Sequence, residues 1–274
     1  RNVIKNKRMF KGIFIDESEC FEPRYVEFIE EFLYETKYIF NMYYCESSNI
    51  YNSVNIFKKP LNYIEFDEKI ILDENYRQKS NIADFSNEFC KNSNEYIKTL
   101  RKNIDRKIYM KSKPILGSGI TAQIVKVEDL EDQINSILWE IEYLVNNKGM
   151  NYSDIAIVFP YNKKKLKNGK TIYFQYLLRK ALEDVNIPYI IGDDNLTKHA
   201  KRSGVTISNL YFIKSLEYKA VVFCELEMLY NQTINEDNQD YQINDFVGDL
   251  NKIYMVINRA SEYLTIITAF NENA

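Results

Sequence analysis

Four short stretches carry side chains able to handle phosphate, water and a divalent cation. Asp16-Glu17 follows the apolar run Gly12-Ile13-Phe14-Ile15. Paired carboxylates at a strand end can divide two tasks: one holds Mg²⁺ through oxygen and water, the other orients and deprotonates an attacking water. Asn75-Tyr76-Arg77 offers an arginine for phosphate oxygens and a tyrosine that can stack on a base. Val205-Thr206-Ile207-Ser208, with Lys214-Ser215-Leu216-Glu217, places hydroxyls, a cation and a carboxylate around two strands. Asn258-Arg259-Ala260 ends a helix just before a strand. Taken alone, each has an ordinary structural reading: a strand-end acid, a turn with an exposed arginine, two strands joined by a polar turn, and an arginine complementing a helix C-terminal dipole.

Composition narrows the chemistry. The single histidine, His199, lies among Lys198, Lys201 and Arg202 and reads as part of a solvated loop, which removes His-based triads and His-rich metal sites. Cys20, Cys45, Cys90 and Cys224 form no CxxC pair, so they are expected to act as small buried hydrophobes in a reducing compartment. What remains is carboxylates, Arg, Lys and hydroxyls. A length of 274 residues allows one large domain or two modest ones, and 45% apolar with 27% charged residues is a globular balance. The net charge of −3 excludes a global basic field, so any nucleic-acid surface must be local. Lys163 to Lys167, Lys198 to Arg202 and Arg101 to Lys113 are the basic stretches available. No apolar run approaches the ~20 residues that span a bilayer, and no signal peptide opens the chain. No membrane partner is expected, and a cytoplasmic location is. The chain begins at Arg1 without an initiator Met and reads as a trimmed piece.

These residues need a frame. Strand-like runs are expected at Gly12 to Ile15, Lys37 to Tyr43, Lys69 to Leu72, Ile120 to Val127, Ile155 to Phe159, Val205 to Ser208, Ala220 to Cys224 and Leu264 to Ala269. Helices are expected from Pro23 to Glu35 and from Ser80 to about Cys90. Three more are marked by the stripes Leu130/Ile134/Ile137/Ile141/Leu144, Ile172/Tyr176/Leu177/Ala181/Val185 and Phe246/Leu250/Ile253/Ile257. This alternation predicts an α/β fold, a parallel sheet with helices on both faces and ligands at the carboxyl ends of its strands. Lys91 to Gly119 and Asn231 to Asn244 read as polar surface excursions.

In this order the stretches resemble the motifs of UvrD/Rep-type superfamily 1 DNA helicases. Gly12 to Glu17 is similar to their Walker B motif, and Leu72 to Arg77 to L-x-x-N-Y-R. Val205 to Val222 is similar to motif V, and Ile253 to Ala260 to motif VI, L-Y-V-A-x-T-R-A. Tyr152 to Val158 matches the family's D-I-A-V-L strand. The likeness spans nearly the whole chain but only the later part of such a helicase. It implies a RecA-like fold, with residues 1–72 the tail of the first lobe and 73–274 the second. It also implies the substrates and partners: ATP with Mg²⁺, single-stranded DNA, and the missing N-terminal lobe of the same protein. By the same resemblance Asp16 would help hold Mg²⁺ and Glu17 would activate water. Tyr76 would lie against adenine, Arg77 and Arg259 would reach the γ-phosphate, and Glu217 the ribose. Thr206, Ser208 and Lys214 would contact the DNA backbone.

The departures are specific. No Walker A motif is present, and none fits in the eleven residues before Gly12. Gly169-Lys170-Thr171 has Lys164 where a phosphate-cradling loop needs its first glycine, so a lysine-rich surface loop is the simpler reading. The family's γ-phosphate-sensing glutamine falls at Ser48, and the motif V histidine and glycine fall at Tyr211 and Ser215. Only Gly192 to Gly204 separates the strand at Tyr189 to Ile191 from Val205, too short for the large accessory domain of UvrD and Rep. Two rival readings remain at this point. One is a degenerate helicase-like binding or scaffold module of a nuclease or defence complex, without ATPase activity. The other is a plain α/β interaction domain.

Overall fold

The computed structural model describes residues 10–30, 32–33, 39–50, 64–100, 107–120, 122–165, 169, 171–192, 203–229 and 239–269. The chain opens with a βαβ unit: β1 (Gly12–Ile15), α1 (Pro23–Glu30) and β2 (Ile39–Met42). The two strands pair in parallel, Gly12 opposite Ile39 and Ile15 opposite Met42, and form a sheet of their own. Next come β3 (Glu74–Lys79), α2 (Ser80–Leu100) and β4 (Lys113–Leu116), with β3 and β4 a second parallel pair. The remaining elements are β5 (Gln123–Lys126), α3 (Leu130–Asn146), β6 (Ile155–Phe159), β7 (Lys163–Lys165), β8 (Thr171–Tyr173), α4 (Phe174–Asp184), β9 (Tyr189–Ile191), β10 (Val205–Asn209), β11 (Tyr218–Phe223), α5 (Gln239–Ile257) and β12 (Ala260–Thr268). Among the described residues, no helix is long and apolar enough to cross a membrane.

Six of these strands form the main sheet in the order β5-β12-β11-β6-β10-β9, every neighbouring pair parallel. Its centre is β6, whose five residues are wholly buried. That continuous apolar run is what a strand covered on both faces requires. Because successive side chains alternate between faces, Ala156 and Val158 join Ile82 of α2 and Ile253 and Val256 of α5 in one core. Ile155, Ile157 and Phe159 join Ile137 and Ile141 of α3 and Leu178 and Leu182 of α4 in the other. Helices therefore lie on both faces of a parallel sheet, the fold class expected of a RecA-like helicase lobe.

Several expectations need correction. The run Lys69 to Leu72 forms no strand, and Ile70, Ile71 and Leu72 are exposed; the strand begins at Glu74 and contains the Asn-Tyr-Arg stretch itself. Helix α2 runs on through Leu100, ten residues past its expected end. Its largely polar second half docks through Ile97, buried with Ile108 and Tyr109, and through Asn94, whose side-chain oxygen accepts the backbone N–H groups of Ile108 (3.0 Å) and Tyr109 (3.1 Å). A hydrophobicity stripe cannot reveal that device. The core face of α4 is Phe174, Leu178 and Leu182, whereas Tyr176 and Val185 of the expected stripe are exposed. α5 starts at Gln239, inside the segment read as an excursion. Gly169 lies between β7 and β8, which pair as an antiparallel hairpin, so the Gly-Lys-Thr stretch leads into a strand and not straight into a helix. Cys90 and Cys224 are buried as expected, but Cys45 is exposed. His199 lies outside the described residues.

Candidate functional site

The carboxyl ends of β1 and β2 face the start of β11 and the end of α5 across a cleft of ≈ 750 Å³, within the range of small-molecule sites. Asp16, Glu17, Arg77, Lys214, Glu217 and Arg259 all line it. Tyr76, Thr206 and Ser208 are not among the lining residues.

The loop Lys214-Ser215-Leu216-Glu217, between β10 and β11, is the hub. Lys214 Nζ lies 3.3 Å from Glu17 Oε2 and 3.2 Å from Glu19 Oε1. Ser215 Oγ and Glu17 Oε1 are 3.2 Å apart, the hydroxyl donating. Arg259 Nη1 donates to the Lys214 carbonyl, and more weakly, at 3.4 Å, to that of Leu216. Arg77 Nη2 pairs with Glu217 Oε1 at 2.5 Å. Every residue of the loop is thus gripped by a residue from another cleft wall, and three of those grips are ionic.

The walls are shaped locally. Glu17 sits at φ 49°, ψ 40°, a left-handed backbone rare outside glycine. The Asp16 carboxylate accepts the Glu17 N–H at 2.9 Å, which supports that turn. Arg259 follows α5, and its Nε donates to the Met255 carbonyl at 3.3 Å. Burial, and then the like charge of Arg77, lower its guanidinium to a pKa of about 10. It still carries full charge at neutral pH, in a place where that charge is poorly hydrated.

Three cleft-shaping residues lie outside the helicase-like motifs. Glu19 bridges the walls: one carboxylate oxygen pairs with Lys214, the other accepts the Cys45 N–H at 3.2 Å. Gln78, buried next to Arg77, donates to the carbonyls of Ile257 (3.2 Å) and Ala260 (3.1 Å) and so pins β3 to the corner that carries Arg259. Asn251 of α5 donates to the Glu46 and Asn49 carbonyls at 3.3 and 2.9 Å and holds the turn that presents Cys45 and Ser48 to the cleft. Their one signal in the sequence is proximity, Glu19 to Glu17 and Gln78 to Arg77; Asn251 has none.

Three expected roles meet a different geometry. Thr206 and Ser208 are fully buried within β10, because alternate residues of a strand covered on both faces all lose solvent. Ser208 Oγ donates to the Asn209 carbonyl, and Thr206 Oγ1 is buried with no hydrogen-bond partner among the described residues. Neither side chain can meet a DNA backbone in this arrangement. Lys214 is 5% exposed and committed to two carboxylates, so its ammonium faces the cleft and not a DNA surface. Tyr76 is exposed beside Arg77 and donates its hydroxyl to Glu74.

Among the described residues, no group of three or more His, Cys, Asp or Glu side chains is placed to hold a metal ion. A protein-only cage is therefore not built among the described residues. A single carboxylate such as Asp16 suits Mg²⁺ that arrives on a polyphosphate and keeps most of its water.

No family model matches the chain, and no curated protein does. Among solved structures, the C-terminal domain of a possible DNA helicase from Lactobacillus plantarum WCFS1 is similar, with a TM-score of 0.42 and 18% identity over 70% of this chain and 86% of that one.

Proposed function

We propose that the cleft takes the polyphosphate of ATP with Mg²⁺, and that the chain is the C-terminal part of a UvrD/Rep-type superfamily 1 DNA helicase or translocase. The observation that carries this reading is convergence: Asp16, Glu17, Arg77, Glu217 and Arg259, distant in sequence, line one cleft. Bound Mg²⁺ would screen the phosphate charge. Asp16 would hold its hydration shell and Glu17 would orient the attacking water. Arg77 and Arg259 would bind the γ-phosphate, Arg259 with its charge already poorly hydrated. Glu217 would take the ribose and Tyr76, at the exposed side of Arg77, the base.

Further features bear on the partners. Among the described residues, β1 and β2 pair only with each other, with Phe14 exposed and an apolar hollow lined by Phe10, Phe21 and Phe32. Parallel sheets are normally covered on both faces, which fits completion by the rest of a first helicase lobe. Single-stranded DNA would cross the second lobe. The second reading is a scaffold module without ATPase activity, and one observation favours it: both carboxylate oxygens of Glu17 are engaged, one by Lys214 and the other by Ser215.

Titration with a fluorescent ATP analogue and Mg²⁺ tests the reading. Weak binding is expected, because no backbone-amide cradle holds the β- and γ-phosphates, and Arg77→Ala or Arg259→Ala should abolish it. Turnover by these 274 residues should be negligible. Steady DNA-stimulated hydrolysis lost in Glu17→Gln would mean the phosphate site has been misplaced. With a longer protein that includes a first lobe, single-stranded DNA affinity should respond to a non-hydrolysable ATP analogue; indifference would favour the scaffold.

A further inference from the structure

Away from the cleft, a hollow of ≈ 600 Å³ lies between α2 and α5. The two helices run antiparallel there. Tyr96 lies against Phe246 with ring centroids 5.3 Å apart, and Phe89 against Tyr254 at 6.5 Å. Phe89, Tyr96 and Leu100 line one wall, and Phe246, Asp249 and Leu250 the other. From Phe89 to Leu100 the wall rises about 16 Å, or about three helical turns. Leu250 is buried in the core beneath, and Phe89, Leu100 and Phe246 are half-buried against that core. Tyr96 is 50% exposed. The groove is therefore apolar, open along its length and bounded by two rigid elements.

Its rim is acidic. Each residue of an α-helix turns by about 100°, so Glu88 and Glu95 stand about 100–120° around α2 from Phe89, on the solvent side of that wall. Lys91 and Lys98 fall on the far side of the helix, about 180–200° from Phe89. Asp245 occupies the matching position on α5, about 100° from Phe246 and beyond Asp249. Glu88 and Glu95 are exposed and Asp245 is half-buried. Lys252 is the cation on this side of α5, and it is spent on Asp249 at 2.6 Å and on the face of Tyr161. Among the described residues Glu88, Glu95 and Asp245 enter no ion pair. Three uncompensated carboxylates thus flank an apolar trough.

We propose that the α2–α5 groove docks a cationic amphipathic helix of a partner protein. Two antiparallel helices leave a trough whose shape fits a third. The apolar floor takes side chains at i, i+3, i+4 and i+7 of the incoming helix. Lysines or arginines beside that stripe meet Glu88, Glu95 and Asp245. Charge complementarity selects this occupant. A nucleic acid is repelled by the rim, and a second copy docked face to face would set like charges against each other. An extended strand would lay unpaired backbone groups on apolar side chains. The inference is independent of the nucleotide reading of the cleft.

Fluorescence anisotropy on the whole 274-residue chain tests it with labelled model peptides of leucine and lysine. One has its leucines at helical spacing over about four turns. The second replaces every lysine by glutamate, and the third alternates leucine and lysine with the period of a strand. The first should bind, and the other two should bind roughly tenfold more weakly or worse. Tyr96→Ala should weaken the first peptide by roughly tenfold, as loss of a ring at an interface centre does. Tyr96→Phe should keep wild-type affinity. Glu88→Gln/Glu95→Gln/Asp245→Asn should weaken binding and flatten its dependence on salt, because the rim charges are screened by ions. All of these positions are exposed or half-buried, and thermal melting checks that the variants fold. The proposal is overturned if the glutamate peptide binds as well as the lysine one, or if the neutralised rim changes nothing. Wild-type affinity in Tyr96→Ala would reduce the binding to attraction without a groove and overturn it too. So would a wild-type chain that binds no peptide at low salt. A dimer in sedimentation that Tyr96→Ala dissolves would put a second copy in the groove instead.

Discussion

Lys214 Nζ lies 3.2 Å from Glu19 Oε1, and the two side chains are only 5% and 6% exposed. This buried pair joins the segment after β1 to the loop before β11, so it ties the small N-terminal sheet to the main one. Removing one partner of a buried pair strands the other charge, at a typical cost of about 3–5 kcal/mol. Glu19→Ala should therefore lower stability by a sizeable part of that range, moderated by the second partner of Lys214, Glu17. The double variant Glu19→Gln/Lys214→Met should recover most of the loss, because a neutral pair leaves no buried charge. Urea denaturation of the three proteins checks this; a double variant no more stable than Glu19→Ala would contradict it.

Gln78 makes the second long-range tie. Its amide donates to the Ile257 and Ala260 carbonyls, while Asn75 Nδ2 donates to its Oε1 at 2.9 Å. Gln78→Ala would remove both of these buried hydrogen bonds, a loss of about 2 kcal/mol by the usual penalty. Arg259 follows Ile257 by two residues, so nucleotide affinity should fall as well. The exposed Arg77–Glu217 pair differs: Glu217→Gln should change stability by less than ~1 kcal/mol, since exposed ion pairs contribute little. Chemical denaturation separates the two cases.

What could be read from the sequence follows from where each signal resides. β6 was legible residue for residue because a strand buried on both faces must be apolar throughout. The α3 stripe was legible because Ile137, Ile141 and Leu144 keep helical spacing and all point into one core. The second half of α2 was less so, because Asn94 and a buried Ser93 share its docking with the widely spaced Ile97. In the cleft, charged residues near the ends of strands could be picked out, since strand ends are where a parallel sheet presents ligand groups. Which partner each charge takes is set by side chains many residues away, and so Glu19 and Asn251 stayed hidden. Burial misled for Thr206 and Ser208: a hydroxyl in a strand reads the same whether it faces solvent or a helix.

Glu140 offers a test by pH. Its carboxylate accepts from Gln123 Nε2 and from the Tyr263 hydroxyl, each at 2.7 Å, beneath α3. Burial raises its pKa above the ordinary value, and the hydrogen bonds only partly oppose that shift. In the window between the ordinary glutamate value and the raised native one, the folded protein binds the proton more tightly than the unfolded chain. Stability must then fall as pH rises through that window and stay lower above it. Glu140→Gln removes this fall, and Gln123 can turn its amide to meet the new one. The difference between the two denaturation midpoints, followed from about pH 4 to pH 8, should move steadily in favour of the variant. A flat difference would show that Glu140 titrates as in the unfolded chain.

Thr206 gives the sharpest contrast between motif and structure. Its Oγ1 is buried in β10 without a hydrogen-bond partner among the described residues. A buried hydroxyl that makes no hydrogen bond costs its desolvation and returns nothing. Thr206→Val keeps the shape, removes that cost and suits a strand buried on both faces. The variant should be more stable by about 1 kcal/mol, read as a higher urea midpoint with an unchanged slope. Oligo-dT affinity should be unchanged, because no phosphate reaches a residue with no exposed surface. If the variant were equally stable but bound oligo-dT several-fold more weakly, Thr206 would have to become exposed when the strand binds. The DNA contact implied by motif V would then stand.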